Sequence, residues 1–492
     1  VYEFWVLNVK AYIPIPVVLS NRGWGLLMNT TWRNAIDVGK SDPERMICTA
    51  PRSDLDYYLF CGPDYRSLLD TYTSLSGRPA LLPIWGYGHT YVCNENIDAF
   101  NMMNEAITFR RERIPCDVIG LEPGWMSKHY DFTPAKAWHP QRFPIPYWAP
   151  KGPHTFLGAA ARLGFKMSLW LCCDYDLSGE EERQASPDAG LSTAPGSAAP
   201  AGTVARAVPA DRAPSAAVHP DDTEHDEHLG HPAVPMDKLT RAGQPWFEHL
   251  RKFVDQGVSA FKMDGANQVN EHPDRKWANG MDDEEMHNLY PLLLNKQMSR
   301  GFGEQTGRRA MVYSSGGYAG IQQYAATWAG DTGGGPKPLV SILNHGLSGH
   351  ANASCDMDVF TADGIHFGFL QPWSQVCSWA YWRHPWLLGD ELGPVFKYYA
   401  RLRYRLLPYI YSTAHQAARC GLPLMRAMAL AFPNDPRSDG LLNQYLFGDW
   451  FLTGAFVESL YLPAGRWIDY WTGAACDGPL DWPVRVPAGR GG

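Results

Sequence analysis

The sequence has no long apolar run and no concentrated block of positive charge. None of its 492 positions begins a stretch of about 18 or more apolar residues, which excludes an ordinary membrane-spanning helix. Lys and Arg total 43 against 51 Asp and Glu, so the net charge is −8. Without a basic run, this balance excludes an electrostatic nucleic-acid binder.

The ten cysteines contain no CxxC pair. Cys172 and Cys173 are adjacent and the other eight are scattered, which excludes a disulfide-dense scaffold and a zinc ribbon but leaves the redox compartment open. The chain begins at Val1 without a leader-like segment and ends at Gly492 in text typical of mid-domain. We therefore expect both ends to be cropped, and the sequence assigns no cellular location and no oligomeric state.

Aromatic residues are abundant at 13%, with 19 Trp, 24 Tyr and 20 Phe. Flat aromatic faces suit sugar rings, although most of these side chains are expected in the core and between domains. The hydrophobic fraction of 45% and the charged fraction of 19% are typical of a globular protein. At this length, two to four domains are expected.

Two kinds of repeating pattern divide the chain. Residues 1–75 hold short apolar stretches broken by Pro, Asn and Gly, such as 6–9 and 13–16, which predict the strands of a β-sandwich. From about residue 80, helical segments alternate with short apolar strands: 97–113 precedes 118–121, 155–163 precedes 166–171, and 246–255 precedes 260–263. This alternation predicts parallel strands and an α/β fold with a (β/α)₈ TIM barrel.

The barrel is expected to be interrupted once and flanked on both sides. Residues 178–235 are rich in Ser, Ala and Pro and predict a low-complexity insertion. After about residue 395, a helix is expected to close the barrel before strands of a second β-domain, near 450–453 and 460–463. The predicted domains are 1–78 (part of an N-terminal β-sandwich), 79–395 (the catalytic barrel) and 396–492 (the barrel-closing helix and a truncated C-terminal β-domain).

Acidic residues follow four of the predicted strands. Asp264 closes the strand that carries Lys262, and Glu122, Asp331 and Asp356 occupy equivalent places. In a TIM barrel, the carboxyl ends of the strands surround the active site. Several carboxylates there could attack an anomeric carbon, protonate a leaving oxygen and bind sugar hydroxyls. Alternatively, an acid after a strand can simply cap the next helix.

The residues around these acids resemble glycoside hydrolase family 31. Residues 261–265 (Phe-Lys-Met-Asp-Gly) look like the nucleophile strand of that family, and residues 328–331 (Trp-Ala-Gly-Asp) look like its acid/base motif. Further similar stretches occur in the same order at 83–88, 114–119, 403–411, 421–426 and 461–467. The resemblance implies a β-sandwich, a (β/α)₈ barrel and C-terminal β-domains. It also implies retaining hydrolysis of an α-glycoside without a cofactor or metal.

Transferred position by position, the resemblance makes Asp264 the nucleophile and Asp331 the acid/base, with Trp328 as an apolar wall that would raise the pKa of Asp331. Glu122 stands where the family usually has a sugar-binding Asp. His384 resembles the end of an Arg-x-His element, although its spacing is one residue short. The expected substrate-binding residues are Glu122, Trp125, Trp170, Lys262, Trp328, Asp356 and His384.

Four positions depart from the family pattern. Ser315 and Gln323 stand where the family has arginines, Asn267 follows the nucleophile strand, and Asp358 occupies a usual Gly. The loss of a guanidinium and the gain of an acid change which hydroxyls are recognised. We therefore expect a terminal sugar other than plain glucose, such as a galactose-type or N-acetylated ring.

Other patterns favour structural roles. His225, His228 and His231 lie beside the insertion and predict a solvated loop rather than a metal site. The acidic run 282–285 predicts a solvated helix start, and the Gly run 333–335 predicts a backbone turn. The tryptophans expected to pack in the core or at the barrel rim are Trp373, Trp379, Trp382 and Trp386.

The sequence thus favours a retaining, exo-acting α-glycosidase. It would release a terminal sugar from an oligosaccharide or glycoconjugate through a covalent glycosyl-aspartate intermediate. Two alternatives stay open: an α-transglycosylase that uses the same residues with a sugar acceptor, and a non-catalytic carbohydrate-binding relative.

Overall fold

The fold was analysed in a computed structural model of the chain. It describes residues 2–4, 13–129, 131, 135–171, 246–264, 277, 280–378, 383–487 and 490. The predicted 178–235 insertion lies outside these residues. So do the positions Cys172, Cys173, Asp174, Asp176, His225, His228, His231, Asn267, Trp379 and Trp382.

The N-terminal part consists of two three-stranded antiparallel sheets. Leu26 and Met28 of one sheet and Ile36 of the other belong to one buried apolar cluster, as predicted for a β-sandwich. The apolar stretch 13–16 is not a strand, because Pro14 and Pro16 have no N–H to donate to a sheet. The strands are β1 (Tyr2–Phe4), β2 (Val17–Ser20), β3 (Trp24–Met28), β4 (Asn34–Val38), β5 (Met46–Thr49) and β6 (Tyr57–Cys61).

Eight parallel strands follow and form a TIM barrel, as the sequence predicts. The parallel bridge between Asp356 and Gln375 joins the first and last members of the sheet order and closes the barrel. Along the chain the strands are β7 (His89–Val92), β8 (Val118–Leu121), β9 (Lys166–Leu171), β10 (Val258–Met263), β11 (Met311–Ser314), β12 (Ala326–Trp328), β13 (Ala353–Ser354) and β14 (Ser374–Cys377).

Capping side chains and glycines mark the ends of the helices. Asp98 accepts a hydrogen bond from the backbone N–H of Asn101 and caps the second helix. Gly257, at a φ of 122°, ends the fourth helix immediately before β10. The helices are α1 (Tyr65–Ser76), α2 (Ala99–Arg111), α3 (Phe156–Arg162), α4 (Arg251–Gln256), α5 (Asp283–Thr306), α6 (Pro336–Leu347), α7 (Ala362–Phe369), α8 (Gly389–Cys420) and α9 (Met428–Ala431).

Two predicted helices have different limits in the structure. The segment 246–255 divides into a short 3₁₀ turn (Trp246–His249) and α4. Helix α8 begins at Gly389 and crosses the boundary that we set between residues 395 and 396. The other 3₁₀ turns are Ile84–Tyr87, Pro123–Trp125, Ile321–Gln323, Pro385–Leu387 and Pro436–Gly440.

Arg403 of α8 ties together the two ends of the barrel sequence. Its side chain is completely buried, and it donates to backbone carbonyls just before β7 and just before β14, the first and last barrel strands in the sequence. Burial lowers the pKa of its guanidinium to about 9. The five acceptors are Tyr87, Gly88, Phe369, Gln371 and Pro372, at 2.6–3.0 Å.

The C-terminal part contains an antiparallel three-stranded sheet and a two-stranded ribbon, which confirms the predicted β-structure there. None of the helices among the described residues is long and apolar enough to cross a membrane. The strands are β15 (Met425–Ala427), β16 (Gln444–Phe447), β17 (Phe451–Gly454), β18 (Ser459–Ile468) and β19 (Ala475–Pro483).

Candidate active site

The strand register brings the predicted acids to one end of the barrel. Trp170 of β9 pairs with Lys262 of β10, and Met263 pairs with Ser314 of β11. Because the strands are parallel, residues that follow them emerge at the same end. Asp264 and Ser315 each come directly after a strand, so they are neighbours at this end.

Both oxygens of the Asp264 carboxylate accept hydrogen bonds. The indole Nε1 of Trp170 donates to Oδ2 at 3.0 Å, and the hydroxyl of Ser315 donates to Oδ1 at 2.8 Å. The backbone N–H of Asp264 donates to the carbonyl of Leu171 at 2.8 Å. The carboxylate is therefore oriented from both sides and remains partly exposed at the barrel mouth.

Glu122 and Lys262 form a buried ion pair beneath this carboxylate. Lys262 Nζ lies 3.0 Å from Glu122 Oε1, and Nζ also lies 5.4 Å from the centre of the Trp328 ring. This ion pair holds one oxygen of Glu122, the residue that the sequence predicts to bind sugar hydroxyls.

The pKa values of Lys262 and Glu122 are both raised, which favours a charged Lys262 but a protonated Glu122. Burial of Lys262 acts to lower its pKa, but the charges of Glu122 and Asp264 outweigh it and raise the pKa well above the usual value. Burial also raises the pKa of Glu122 to about 7, although Lys262 opposes this. We favour the ionised pair at neutral pH, because a protonated Glu122 would leave a buried ammonium without its nearest counter-charge.

Asp331 has the electrostatic environment of an acid. It follows β12 and Gly330, whose φ of 65° turns the chain at the barrel mouth. Loss of solvation raises the pKa of Asp331 to about 7, and the charges of Asp264 and Asp356 act in the same direction. Its side chain nevertheless contacts solvent. The carboxyl group is therefore open to solvent on one side while protein surrounds it on the others.

Asp356 lies at the seam where the barrel closes. Its Oδ1 accepts a hydrogen bond of 2.9 Å from Gln375 Nε2, and the two residues also form the closing bridge. Burial raises the pKa of Asp356, while the positive charges of Lys262 and Arg383 act to lower it. Closure of the barrel thus places a third carboxylate within the field of Asp264 and Asp331.

Asp358 does not add an acceptor to the mouth, which corrects our expectation for this residue. Its two oxygens accept from the backbone N–H of Phe360 and the hydroxyl of Thr361, each at 2.9 Å. Thr361 in turn caps α7. Asp358 therefore organises the start of a helix, the structural role that an acid after a strand often has.

The three tryptophans named as sugar contacts have different positions. Trp170 touches the Asp264 carboxylate directly. Trp125 and Trp328 are completely buried, so neither presents a face to a sugar. Trp125 packs against Phe253 and donates to the carbonyl of Trp170 at 3.0 Å, so it supports the site from behind. Trp328 lies against Lys262. Its role as an apolar wall beside Asp331 stays a prediction, because burial is the largest cause of the raised pKa of Asp331 and does not single out one wall residue.

His384 lies in a different environment from the one expected of a sugar ligand. Its Nδ1 is 2.6 Å from the hydroxyl of Tyr91, and its Nε2 is 3.5 Å from Glu105 of α2. Tyr91 itself packs on Phe109 of α2, which places this group on the helix side of β7. Burial lowers the pKa of His384.

Two minor predictions are also resolved. Asp283, in the acidic run at the start of α5, is buried rather than solvated and accepts a hydrogen bond of 2.7 Å from Trp277 Nε1. Gly334 lies so close to the loop after β13 that an added Cβ would stand 2.2 Å from the Asp358 nitrogen. Gly334 therefore serves close backbone packing, whereas Gly333, at a φ of 72°, fits the predicted backbone turn.

Sequence reasoning missed the contact between Ser315 and Asp264 and the seam residue Gln375. Ser315 was noted only as a replacement for arginine, yet its place directly after β11 could have indicated that it lies at the mouth. Among the described residues, no group of three or more His, Cys, Asp and Glu side chains could hold a metal ion.

Models of known protein families match most of this chain. Residues 79–413 match the family description "Glycosyl hydrolases family 31 TIM-barrel domain", which is more than half of the chain. The chain belongs to glycosyl hydrolase family 31. Residues 421–490 match the C-terminal domain of the same family.

Several named proteins are similar in sequence to this chain. The chain is 27% identical to an isomaltosyltransferase of Sporosarcina globispora, over 95% of this chain and 46% of that protein. It is 25% identical to alpha-glucosidase 2 of Bacillus thermoamyloliquefaciens over 94% and 58%, and 24% identical to an alpha-xylosidase of Emericella nidulans over 92% and 56%. The chain thus spans about half the length of these relatives.

Solved structures share the fold. A family 31 dextranase of Flavobacterium johnsoniae complexed with isomaltotriose superposes with a TM-score of 0.77 at 22% identity, covering 99% of this chain and 62% of that one. A family 31 alpha-xylosidase from a soil metagenome, complexed with xylose, gives 0.76 at 17% identity, covering 100% and 74%.

Proposed function

We propose that this family 31 protein hydrolyses α-glycosides with retention of configuration. The observation that carries the proposal is the contrast between two neighbouring carboxyl groups. Asp264 has both oxygens held by hydrogen-bond donors, whereas crowding and negative charge raise the pKa of Asp331 to about 7. A carboxylate oriented for attack beside a carboxyl group with a raised pKa is the arrangement that an attacking nucleophile and a proton donor require.

In the first step, Asp331 donates its proton to the glycosidic oxygen while an oxygen of Asp264 attacks the anomeric carbon. The bond to the leaving sugar breaks, and an ester forms between the remaining sugar and Asp264. In the second step, ionised Asp331 takes a proton from water, which attacks the same carbon from the opposite face and releases the carboxylate. Two inversions give net retention.

Lys262, Glu122, Trp170 and Ser315 support this chemistry by position. The hydrogen bonds from Trp170 and Ser315 fix the direction of the attacking carboxylate. The ammonium of Lys262 lies in a field shared with Glu122, Asp264 and Asp356 and limits the repulsion among these acids. Glu122 Oε2 and the partly exposed Asp356 are the carboxylate atoms that we assign to sugar hydroxyls.

The terminal sugar is proposed to be other than plain glucose. Ser315 is much shorter than the arginine that the family resemblance places there, and its hydroxyl is already bonded to Asp264. Loss of the guanidinium removes a hydrogen-bond donor expected at the sugar, and we infer that it favours a bulkier or epimeric substituent, such as a galactose-type or N-acetylated ring. Asp358 no longer contributes to this argument, because its oxygens are used at the start of α7.

A panel of aryl α-glycosides tests these assignments. The glucoside, xyloside, galactoside and N-acetylgalactosaminide are compared by kcat/KM, and NMR records the anomer that is released first. We expect the α-anomer, with the glucoside not the fastest substrate. A β-anomer would overturn retention, and a glucoside faster than the others by tenfold or more would overturn the sugar assignment.

Transfer to a sugar acceptor is the second candidate, because one of the relatives is an isomaltosyltransferase. Its chemistry uses the same two carboxyl groups and differs only in the nucleophile of the second step. Product analysis at increasing concentration of the preferred substrate separates the two. A hydrolase gives mainly free sugar, whereas a transferase gives products longer than the substrate.

A further inference from the structure

A cavity lined by asparagines and an aromatic pair lies beside the barrel mouth. It has a volume of about 480 Å³, which is within the range of small-ligand sites. One wall consists of Asn94, after β7, and the exposed Asn101 and Asn104 of α2; the opposite wall is formed by His384 and Trp386, after β14. Since β7 and β14 are neighbouring strands, the cavity adjoins the C-terminal end of the barrel.

A buried carboxyl group supports this asparagine cavity from behind. Glu105 of α2 is 8% exposed and lines the cavity. Its Oε1 lies 3.5 Å from His384 Nε2, and its carboxyl group also interacts with Cys93 and with the hydroxyl of Tyr91. Glu105 therefore helps to hold His384 in the cavity wall.

The aromatic wall is held in a fixed orientation. The His384 ring stacks on Trp386 with centroids 5.0 Å apart and an interplanar angle of 8°. The hydroxyl of Tyr91 anchors His384 at 2.6 Å, and Phe109 packs edge-on against the Trp386 ring. Trp386 thus borders the cavity as an ordered flat surface with part of its area exposed.

We propose that the asparagine cavity binds one sugar ring, separately from the carboxylate site. Each asparagine amide offers two donors and an acceptor, which match hydroxyl groups that both donate and accept. Trp386 offers an apolar surface for the C–H face of the ring. The wall of the cavity contains neutral amides and no arginine or lysine, which favours a neutral polyhydroxylated ligand over a phosphorylated one.

The position of the cavity gives the bound sugar a role that rests on the proposed function. A ring held beside the barrel mouth could belong to the same oligosaccharide as the ring at Asp264. The binding itself does not require catalysis, so the two proposals can fail independently.

Saturation-transfer NMR tests the binding with four probes: glucose, xylose, galactose and N-acetylgalactosamine. Wild-type protein is compared with the double variant Asn101→Leu/Asn104→Leu, which keeps side-chain size and removes the amides from exposed helix positions. The matched control is Ile107→Asn, on the same helix but outside the cavity. Thermal melting and turnover of the best aryl α-glycoside are recorded for each protein.

We expect saturation transfer to at least one sugar to fall by half or more in the double variant and to be unchanged in Ile107→Asn. Melting and aryl-glycoside turnover should stay at the wild-type values. Equal saturation transfer in all three proteins would overturn the cavity proposal, and so would a loss that is matched by lower turnover or melting temperature. Absence of aryl-glycoside turnover in the wild type would instead count against the proposed function.

Discussion

Ser315 donates a 2.8 Å hydrogen bond to Oδ1 of Asp264, across 51 residues of sequence. The opposite oxygen is held by Trp170 at 3.0 Å. The residue that replaces an arginine of the family resemblance therefore acts on the proposed nucleophile itself. The proposed change in sugar recognition and the orientation of the proposed nucleophile therefore depend on the same residue.

Removal of this hydroxyl should weaken catalysis. We expect Ser315→Ala to lower kcat/KM for an aryl α-glycoside about tenfold, equivalent to about 1.4 kcal/mol of transition-state stabilisation. Ser315→Thr keeps the hydroxyl and should recover most of the loss. Full activity in Ser315→Ala would show that this hydrogen bond is not needed to orient Asp264.

Removal of either proposed catalytic carboxylate should produce a different failure. Asp264→Ala should lose activity on every substrate, because both steps need the nucleophile. Asp331→Ala should still form the glycosyl-enzyme from substrates with good leaving groups. Azide should then accelerate release of the sugar from the glycosyl-enzyme, and NMR identifies whether the glycosyl azide has the α or the β configuration. We expect the α-azide from Asp331→Ala. The reverse pattern of rescue would exchange the two roles.

The pH dependence of kcat/KM should reflect Asp331. Because the crowded mouth and the charges of Asp264 and Asp356 raise the pKa of Asp331 to about 7, the proton donor is present below that pH. We expect activity to fall as the pH rises through about 7. Asp356→Asn removes one of these negative charges, so its alkaline limb should move to lower pH.

Asp358→Asn provides the control for the pH experiment, because Asp358 is not among the groups that shift the pKa of Asp331. Its alkaline limb should coincide with that of the wild type. A limb that stays in place in Asp356→Asn would contradict the assignment of the acid.

Arg403 should be critical for stability rather than chemistry. Arg403→Ala leaves up to five backbone carbonyls without their buried donor, and we expect a loss of about 3–5 kcal/mol in the free energy of unfolding. Arg401→Ala, on the exposed side of the same helix, should change it by less than about 0.5 kcal/mol. Denaturant unfolding measures both, and similar values would contradict the role of Arg403.

The low-complexity stretch 178–235 should be dispensable for the folded core. Its Ser, Ala and Pro composition offers little apolar surface to offset the entropy of ordering. We expect replacement by a short Gly/Ser linker to leave the melting temperature within a few degrees. Insoluble protein, or a large fall in melting temperature, would contradict this expectation.

Local sequence patterns were sufficient to predict the barrel and the acidic residues at its strand ends. Short-range alternation of helices with apolar strands predicted the barrel, because the period of apolar residues depends on secondary structure alone. The strand ends then located Glu122, Asp264, Asp331 and Asp356, since parallel strands direct their carboxyl ends to one face. The family resemblance assigned roles to the same residues.

Only the tertiary structure decided what each side chain touches. The sequence predicts sugar contacts for Trp125, Trp170 and Trp328 alike, yet of these three Trp170 is the one that reaches the Asp264 carboxylate. Asp358 could not be distinguished from Asp356 until the start of α7 and the barrel seam were in place. The raised pKa of Asp331 likewise depends on charges from distant parts of the chain. Such properties depend on side-chain direction and long-range packing, which local sequence periodicity does not contain.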